Sequence, residues 1–459
     1  MNEPWSNTTW LAAAVGLQFK SFLTWRTLFL AKAVLRNKIP IRWIYILGRY
    51  SMGRMSVVKT AFFRPRVIII GSFILLSALE IFADPIAIPT PTEQAVEYQN
   101  VSNIVWGINH CLALILLPIA LLILGSGSRI STKLKYCKYL TFFIFATIYF
   151  TLNRLIQLPL DRIRTNNLNQ IKNDAGLPIL QWIFSQFLQA LPSIVISILV
   201  VLLVYWLINK SPWKWWLWAA GAFSFLFLIF LVVEPYTISH KPLGQTPVEV
   251  KITALAEQIG IPTDSIALED CEPFDSCEIA HVTGLGPTRL ILLNKGLFDA
   301  YPESWTLQTF AHEAKHYVKD DNLVGWVVLT LIVLVFFFLL DRVCRMIIQR
   351  FSKQLGFTSI GQPAALPLII LVLNIMYLLA LPPINIFRQH VEFEADRYGL
   401  ELTHQNQILA EMVSNWTTGS KHRVPDPSLF FMLFRSSHPS DATRISFANE
   451  YQLKDKKED

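Results

Sequence analysis

The sequence His312-Glu313-Ala314-Lys315-His316 places two histidines four residues apart with a glutamate between them. In a helix, residues four apart lie about one turn from each other, so both imidazoles can reach a single metal ion. Glu313 would then face the fourth metal position, which water occupies. This H-E-x-x-H spacing is typical of zinc-dependent peptide hydrolysis, with the glutamate as general base. The alternative interpretation of these five residues is a solvated polar face of a helix.

A catalytic zinc site needs a third protein ligand and leaves its fourth position open. The segment 390–399 contains no helix breaker before Gly399, so Glu392 and Asp396 are expected on one helical face, one turn apart. Glu392 is the predicted third ligand. Asp396 is expected to accept a hydrogen bond from a ligand histidine and so to fix the tautomer of its ring. Taken alone, this segment would be interpreted as an acidic helix surface.

The composition indicates an integral membrane protein. Hydrophobic residues make up 53% of the 459 residues and charged residues only 16%, which is too apolar for a soluble protein of this size. Seven apolar runs are close to the length that crosses hydrocarbon as a helix. They are residues 67–83, 104–124, 139–158, 179–208, 215–233, 323–340 and 364–382. The first 35 residues are expected to form an interfacial segment or an eighth span.

Four polar residues interrupt or border these apolar runs: Glu80, His110, Arg154 and Asn374. Such groups are unfavourable against lipid, so they are expected to face a cavity or one another. For Glu80 and Arg154 we favour a different interpretation, in which a side chain near the end of a span extends to the polar headgroups.

Basic residues are concentrated in alternate loops. Residues 20–66 contain eleven Lys and Arg and no acidic residue. Further basic clusters lie at residues 129–138, 210–214 and 342–353. Because basic loops tend to stay on the cytoplasmic side, residues 234–322 and 383–459 are expected on the opposite face. The fourteen acidic and six basic residues of 234–322 agree with this orientation.

Two apolar runs separate His316 from Glu392, an even number, so both motifs emerge on the same side of the membrane. We therefore interpret residues 234–322 and 383–459 as one split catalytic domain, joined by the two-helix hairpin 323–382. The remaining predicted segments are the basic N-terminal segment 1–66 and a five-helix membrane region at 67–233.

Local patterns predict the elements around the motif. Residues 247–260 are expected to form a short helix. The β-rich stretches 279–283 and 289–293 flank a glycine-rich turn and are predicted to form a hairpin. The motif helix is expected to begin near residues 302–304 and to run through Tyr317.

An extended strand beside the zinc helix would offer a peptide substrate an edge to pair with. The candidate substrate-binding residues are therefore Ala280, His281, Val282 and Thr283. A hairpin that only completes the core is the alternative. Cys271 and Cys277 flank a short polar loop on the face assigned outside, where either a disulfide or two thiols would be stable.

Together these residues resemble the CAAX prenyl protease 1 family, polytopic gluzincin zinc metalloproteases of eukaryotic membranes with bacterial relatives. The resemblance covers roughly residues 234–450 and includes the order of spans and motifs. The matching stretches are 280–293, 312–316, 392–396, and Ser437-His438-Pro439-Ser440 followed by Arg444-Ile445. A bacterial-type relative is expected.

The resemblance implies one zinc ion per chain, held by His312, His316 and Glu392. It further implies that Glu313 is both general base and general acid, and that His438 and Arg444 lie near the reacting carbonyl. The implied fold is mainly α, with about seven transmembrane helices forming a barrel or chamber and a small α+β metalloprotease domain split across the last two spans.

Two positions differ from the family pattern. Lys315 stands where the family usually has glycine, and Ile279 stands where resembling sequences often carry an asparagine that contacts the substrate backbone. The predicted site also faces away from the cytoplasm, whereas eukaryotic members act on the cytosolic face.

Three functions are compatible with the sequence. The first is a zinc endopeptidase that cleaves membrane or misfolded proteins at the extracytoplasmic face of a bacterial inner membrane, or in the endoplasmic reticulum membrane if the chain is eukaryotic. The second is a CAAX-type protease that cleaves C-terminal prenylated peptides, and the third is a catalytically silent membrane scaffold. The expected partners are polypeptide substrate and membrane lipid. Nucleic-acid binding is not expected, because the net charge of +7 arises from loops that flank the membrane.

Overall fold

The structure is a computed structural model. Four predictions lie outside the residues that it describes: the segment 1–66, the span 67–83, the orientation of Glu80 and the pairing of Cys271 with Cys277. The described residues are 85–125, 138–172, 176–270, 279–420 and 422–451.

Six helical segments within the described residues are long and apolar enough to cross a membrane, and they coincide with the six predicted spans that fall there. The mainly α membrane fold is thereby confirmed. The helices of the first four described spans are α1 (Glu93–Asn109), which continues through a π-helical segment (His110–Leu116) into α2 (Leu117–Ile123), then α3 (Lys138–Lys172), α4 (Ile179–Lys210) and α5 (Trp215–Val233).

The π-helical segment is held by side-chain amides of two other helices. Asn153 Nδ2 donates to the Ala113 carbonyl over 3.0 Å, and Asn374 Nδ2 donates to the Leu114 carbonyl over 2.9 Å. A π-helical turn alters the backbone hydrogen-bond pattern, and a carbonyl left without a donor in an apolar layer is strongly destabilising. The two asparagines therefore connect the first described span to the second and the last described spans.

Arg154 does not extend to the headgroups, and that prediction is wrong. Its side chain is only 10% exposed; Nη1 lies 2.7 Å from Asp161 Oδ2, and Nη2 donates to Gln186 Oε1 over 2.5 Å. A carboxylate two helical turns further along α3 compensates the charge inside the protein, so the long side chain has no need to reach water.

A small α+β region follows α5. Its sheet has the order β1-β2-β4-β3, with β2 and β4 parallel and the two outer pairs antiparallel. The predicted hairpin is confirmed, with Val282 opposite Ile291. The elements in chain order are β1 (His240–Pro242), α6 (Pro247–Gln258), β2 (Ile266–Glu269), β3 (Ala280–Thr283), β4 (Leu290–Asn294), α7 (Lys295–Ala300) and α8 (Glu303–Val318).

The motif helix α8 packs against this sheet through its apolar face. Phe310 and Ala314 of α8 are fully buried in one cluster with Ile252 of α6 and with Ile291 and Leu293 of β4. The opposite face of α8 carries the two histidines of the motif. The sheet thus supports α8 from behind and leaves its polar face to meet another helix.

Two long helices form the hairpin of the last two spans, α9 (Asp321–Leu355) and α10 (Leu366–Thr403). Helix α10 runs on from its apolar part through Pro382 and Pro383 into the polar segment that carries Glu392 and Asp396. The predicted boundary at 382/383 therefore falls inside one helix, and the two carboxylates are carried by the last span itself.

Three shorter helices complete the described chain: α11 (Asn406–Gly419), α12 (Leu429–Phe434) and α13 (Asp441–Glu450). Leu409 and Val413 of α11 form a buried cluster with Ile445 and Ala448 of α13. This packing places Arg444, on the same helix as Ile445, against α10.

We expect Asn374→Ala to lower the free energy of unfolding by about 1–3 kcal/mol, because the buried Leu114 carbonyl loses its donor. The matched control is Asn415→Ala, since Asn415 is exposed on α11 and a surface change of this kind shifts stability by less than about 0.5 kcal/mol. Chemical denaturation of the detergent-solubilised protein measures both. Equal effects of the two substitutions would contradict the assigned role of Asn374.

Candidate metal centre

The structure brings the three predicted zinc ligands together. His312 and His316 lie on α8 and Glu392 on α10, and one ligand atom from each lies within 4.8 Å of the others. His312 Nε2 is 3.2 Å from Glu392 Oε2, and His316 Nε2 is 3.7 Å from the same oxygen. Both imidazoles therefore present Nε2 to one carboxylate from a helix that is remote in the chain.

A close approach of α8 and α10 makes this meeting possible. A Cβ atom on Gly399 of α10 would lie 2.6 Å from Gln308 Nε2 and 3.5 Å from the His312 backbone nitrogen. Next to this contact, Thr403 Oγ1 donates to Gln308 Oε1 over 2.7 Å. Glycine at 399 lets the two helices pack this closely, two turns beyond Glu392.

The donor set fits a zinc ion. Two ligands at about 2.0–2.2 Å from zinc in tetrahedral geometry lie roughly 3.4 Å apart. The two nitrogen-to-oxygen separations at Glu392, 3.2 and 3.7 Å, fall on either side of that value. Imidazole nitrogen and carboxylate oxygen are also the ligands of catalytic zinc sites with two histidines and a glutamate.

Behind His312 lies Asp396. His312 Nδ1 is 3.0 Å from Asp396 Oδ1, the contact that the sequence predicted, and Asp396 is fully buried. Burial of the imidazole lowers the pKa of His312, but the hydrogen bonds to Asp396 and Glu392 outweigh burial and raise the pKa to about 10. Without a metal ion His312 therefore carries a proton at neutral pH, which an incoming metal ion must displace.

Arg444 contacts Asp396 with two nitrogens. Nε donates to Oδ2 and Nη2 donates to Oδ1, each over 2.7 Å. This bidentate geometry holds the carboxylate that in turn orients His312. These contacts place Arg444 against Asp396, on the side of that carboxylate away from α8. Direct stabilisation of an oxyanion by Arg444 stays a prediction.

Behind His316 lies a carboxylate that the sequence analysis missed. Asp321 Oδ2 is 2.6 Å from His316 Nδ1, and Lys315 Nζ donates to the same oxygen over 3.0 Å. Asp321 follows Asp320, whose backbone is left-handed with φ of 51°, in the sharp turn between α8 and α9. The sequence signal for this contact was the acidic pair Asp320 and Asp321, which comes shortly after the motif helix ends.

His438 and Glu313 complete the polar surroundings of the ligands. His438 lies in the loop between α12 and α13, with Nε2 3.3 Å from Glu392 Oε2 and 56% of the side chain exposed. Glu313 is buried between the two histidines along α8. The site therefore has a buried carboxylate on the motif helix and a solvent-accessible imidazole beside Glu392.

The four candidate substrate-binding residues form β3, which pairs only with β4 among the described strands and packs beside α8. Val282 and Thr283 are buried, while Ala280 and His281 are partly exposed. Thr283 Oγ1 donates to Glu234 Oε2 over 2.7 Å, which anchors the end of the strand. An edge strand next to the motif helix agrees in position with the predicted role, which itself stays a prediction.

Comparison with known proteins supports a proteolytic function. Residues 242–452 match peptidase family M48. The chain is 28% identical over 382 residues to the uncharacterized metalloprotease YhfN of Bacillus subtilis. The aligned region covers 80% of this chain and 88% of that protein.

The fold is also similar to that of a solved structure. The crystal structure of S. mikatae Ste24p is similar with a TM-score of 0.63 and 17% sequence identity, over 85% of this chain and all of that one. The similarity therefore extends well beyond the residues that match the peptidase family. The chain is therefore similar to metalloproteases in sequence and to Ste24p in fold, which confirms the predicted resemblance to the CAAX prenyl protease family.

Proposed function

We propose that the chain is a zinc-dependent endopeptidase in which His312, His316 and Glu392 hold one zinc ion. The observation that carries the proposal is the convergence of both Nε2 atoms on Glu392 while both Nδ1 atoms contact buried carboxylates. This arrangement selects the tautomer that leaves Nε2 free to bind a metal. Zinc, when bound, supplies a Lewis acid that activates water and polarises a peptide carbonyl group.

In this proposal Glu313 moves the protons. Its carboxylate accepts a proton from the water that attacks the peptide carbonyl, and the same carboxyl group then donates that proton to the leaving amine nitrogen. His438, which reaches Glu392 from a solvent-accessible loop, donates a hydrogen bond to the developing oxyanion. Asp396, held by Arg444, keeps His312 in the orientation required for metal binding.

The proposed substrates are membrane or misfolded polypeptides, cleaved on the extracytoplasmic face of a bacterial inner membrane. The basic loops between the spans support this orientation, since α8 and the polar end of α10 lie on the other side from them. The sequence similarity to a bacterial metalloprotease supports the bacterial assignment.

A second candidate, cleavage of C-terminal prenylated peptides, is favoured by the Ste24p-like fold, which covers 85% of the chain. A catalytically silent scaffold is the least favoured function, because a silent protein has no chemical need for a buried Glu313 between two metal-binding histidines.

Glu313→Gln is expected to retain zinc and the fold but to reduce peptide cleavage by at least about 10²–10⁴-fold, because the amide cannot accept the proton of the attacking water. Cleavage of an unstructured reporter polypeptide and elemental analysis of the purified protein provide the two measurements. Glu257→Gln on the exposed face of α6 is the matched control and is expected to cleave normally. Near-normal turnover of Glu313→Gln would refute the role.

Zinc affinity is expected to rise with pH by at least about tenfold per unit between pH 6 and 8, because the metal must displace a proton from a group whose pKa lies above this range. The group is His312, with its pKa raised to about 10 in the metal-free protein. Chelator competition at fixed ionic strength measures the dissociation constant. A constant that does not change with pH would contradict protonation of His312.

The two substrate classes are separated by comparing a farnesylated peptide with the same peptide lacking the prenyl group. We expect the wild-type protein to cleave both at similar rates, because the proposed substrates are general polypeptides. Mass spectrometry of the products gives the rates and the cleaved bond. A strong preference for the farnesylated peptide would favour the CAAX-type activity instead.

A further inference from the structure

The two histidines of the metal centre have matching surroundings on the side away from Glu392. His312 Nδ1 faces Asp396, which also contacts the cation of Arg444. His316 Nδ1 faces Asp321, which also contacts the cation of Lys315. Each imidazole thus contacts a carboxylate through Nδ1, and that carboxylate contacts a positively charged side chain. The two sets of residues come from different helices.

Lys315 extends this second set to the other ligand-bearing helix. Its Nζ atom donates to Asp321 Oδ2 over 3.0 Å and to the Val391 carbonyl over 3.1 Å. Val391 immediately precedes Glu392 on α10. One ammonium group therefore contacts both the carboxylate that orients His316 and the backbone beside the third ligand.

These charged groups lie inside the protein. The side chain of Lys315 is 9% exposed and that of Asp321 is 10% exposed. Burial of a lysine is unfavourable unless its charge is paired and its protons are bonded. The family pattern described above has glycine at this position, so the buried lysine is a feature of this chain that requires a carboxylate partner.

The turn before α9 brings that partner into place. Asp320 adopts the left-handed conformation between α8 and α9, so α9 begins at Asp321 and the Asp321 carboxylate contacts His316. Arg289 holds this turn from the sheet, because Nη1 donates to the Tyr317 carbonyl over 2.8 Å and also contacts the Asp320 carboxylate. The position of Asp321 is therefore determined by the turn between α8 and α9 and by the contacts of Arg289 with that turn.

We propose that Asp321 and Lys315 are positioning residues of the metal centre. Asp321 accepts the Nδ1 proton of His316 and so keeps Nε2 directed to Glu392. Lys315 holds the Asp321 carboxylate in place and connects it to α10 beside Glu392. The proposal rests on the proposed function, since it requires that His316 and Glu392 bind a metal ion.

The first test uses the whole chain in detergent and compares Asp321→Asn with Asp299→Asn, the same change at an exposed position on α7. We expect Asp321→Asn to weaken zinc binding about 10–100-fold and to shift the visible absorption of the cobalt(II)-substituted protein. Asp299→Asn is expected to match the wild type in both measurements.

The second test compares Lys315→Met with Lys319→Met, the same change at an exposed position just after the end of the same helix. The proposal is supported if Lys315→Met binds zinc more weakly than the wild type while Lys319→Met binds it equally well. Unaltered zinc affinity and an unaltered cobalt spectrum in both Asp321→Asn and Lys315→Met would overturn it, while zinc binding by the wild type would leave the proposed function intact. A wild-type protein that binds no zinc would overturn both.

A double variant separates positioning from simple charge compensation. Lys315→Met combined with Asp321→Leu removes both buried charges, and such replacements often preserve stability. If the pair positions His316, this variant folds but still binds zinc more weakly than the wild type. Recovery of wild-type zinc affinity would show that the pair only balances charge and would overturn the proposal. This variant also provides the test should a single substitution prevent folding.

Discussion

The metal centre depends on the packing of α8 against α10. This contact brings His312 and Glu392, which are 80 residues apart in the chain, to 3.2 Å between Nε2 and Oε2. Gly399 leaves room at this contact, because a Cβ atom there would lie 2.6 Å from Gln308 Nε2 and would force the glutamine side chain to shift. Since the sheet supports α8 from behind and α10 is itself the last membrane span, both the membrane part and the polar part of the protein determine the geometry of the ligands.

The same contact buries a set of charges that stabilise one another. Asp396 pairs with Arg444 from α13, and Asp321 pairs with Lys315 within the turn that follows α8. A charge buried without its partner is strongly destabilising, so these groups hold one arrangement of the four helices. The interactions that orient the imidazoles are therefore also interactions that fix the tertiary structure around them.

Polar interactions inside the membrane part have a related role. Asn374 lies on α10 and satisfies a carbonyl of the π-helical segment in the first span, while Asn153 satisfies another from α3. Asn374 and Glu392 lie on the same helix, which includes Pro382 and Pro383 between them, so the packing of the span influences the position of the ligand. Glu392 is thus carried by a helix rather than by a loop.

The sequence by itself determined the ligand candidates His312, His316 and Glu392, the six spans within the described residues, and the contact of Asp396 with a histidine. Helical periodicity and hydrophobic length are local properties, so they can be read without knowing how the helices pack. Only the tertiary structure decided that Asp321 contacts His316, that Lys315 reaches Val391, that Arg444 binds Asp396 and that Arg154 pairs with Asp161 inside the protein. The physical reason is that a charged side chain can adopt several rotamers. The packing of neighbouring elements selects the rotamer that places its charge beside a partner.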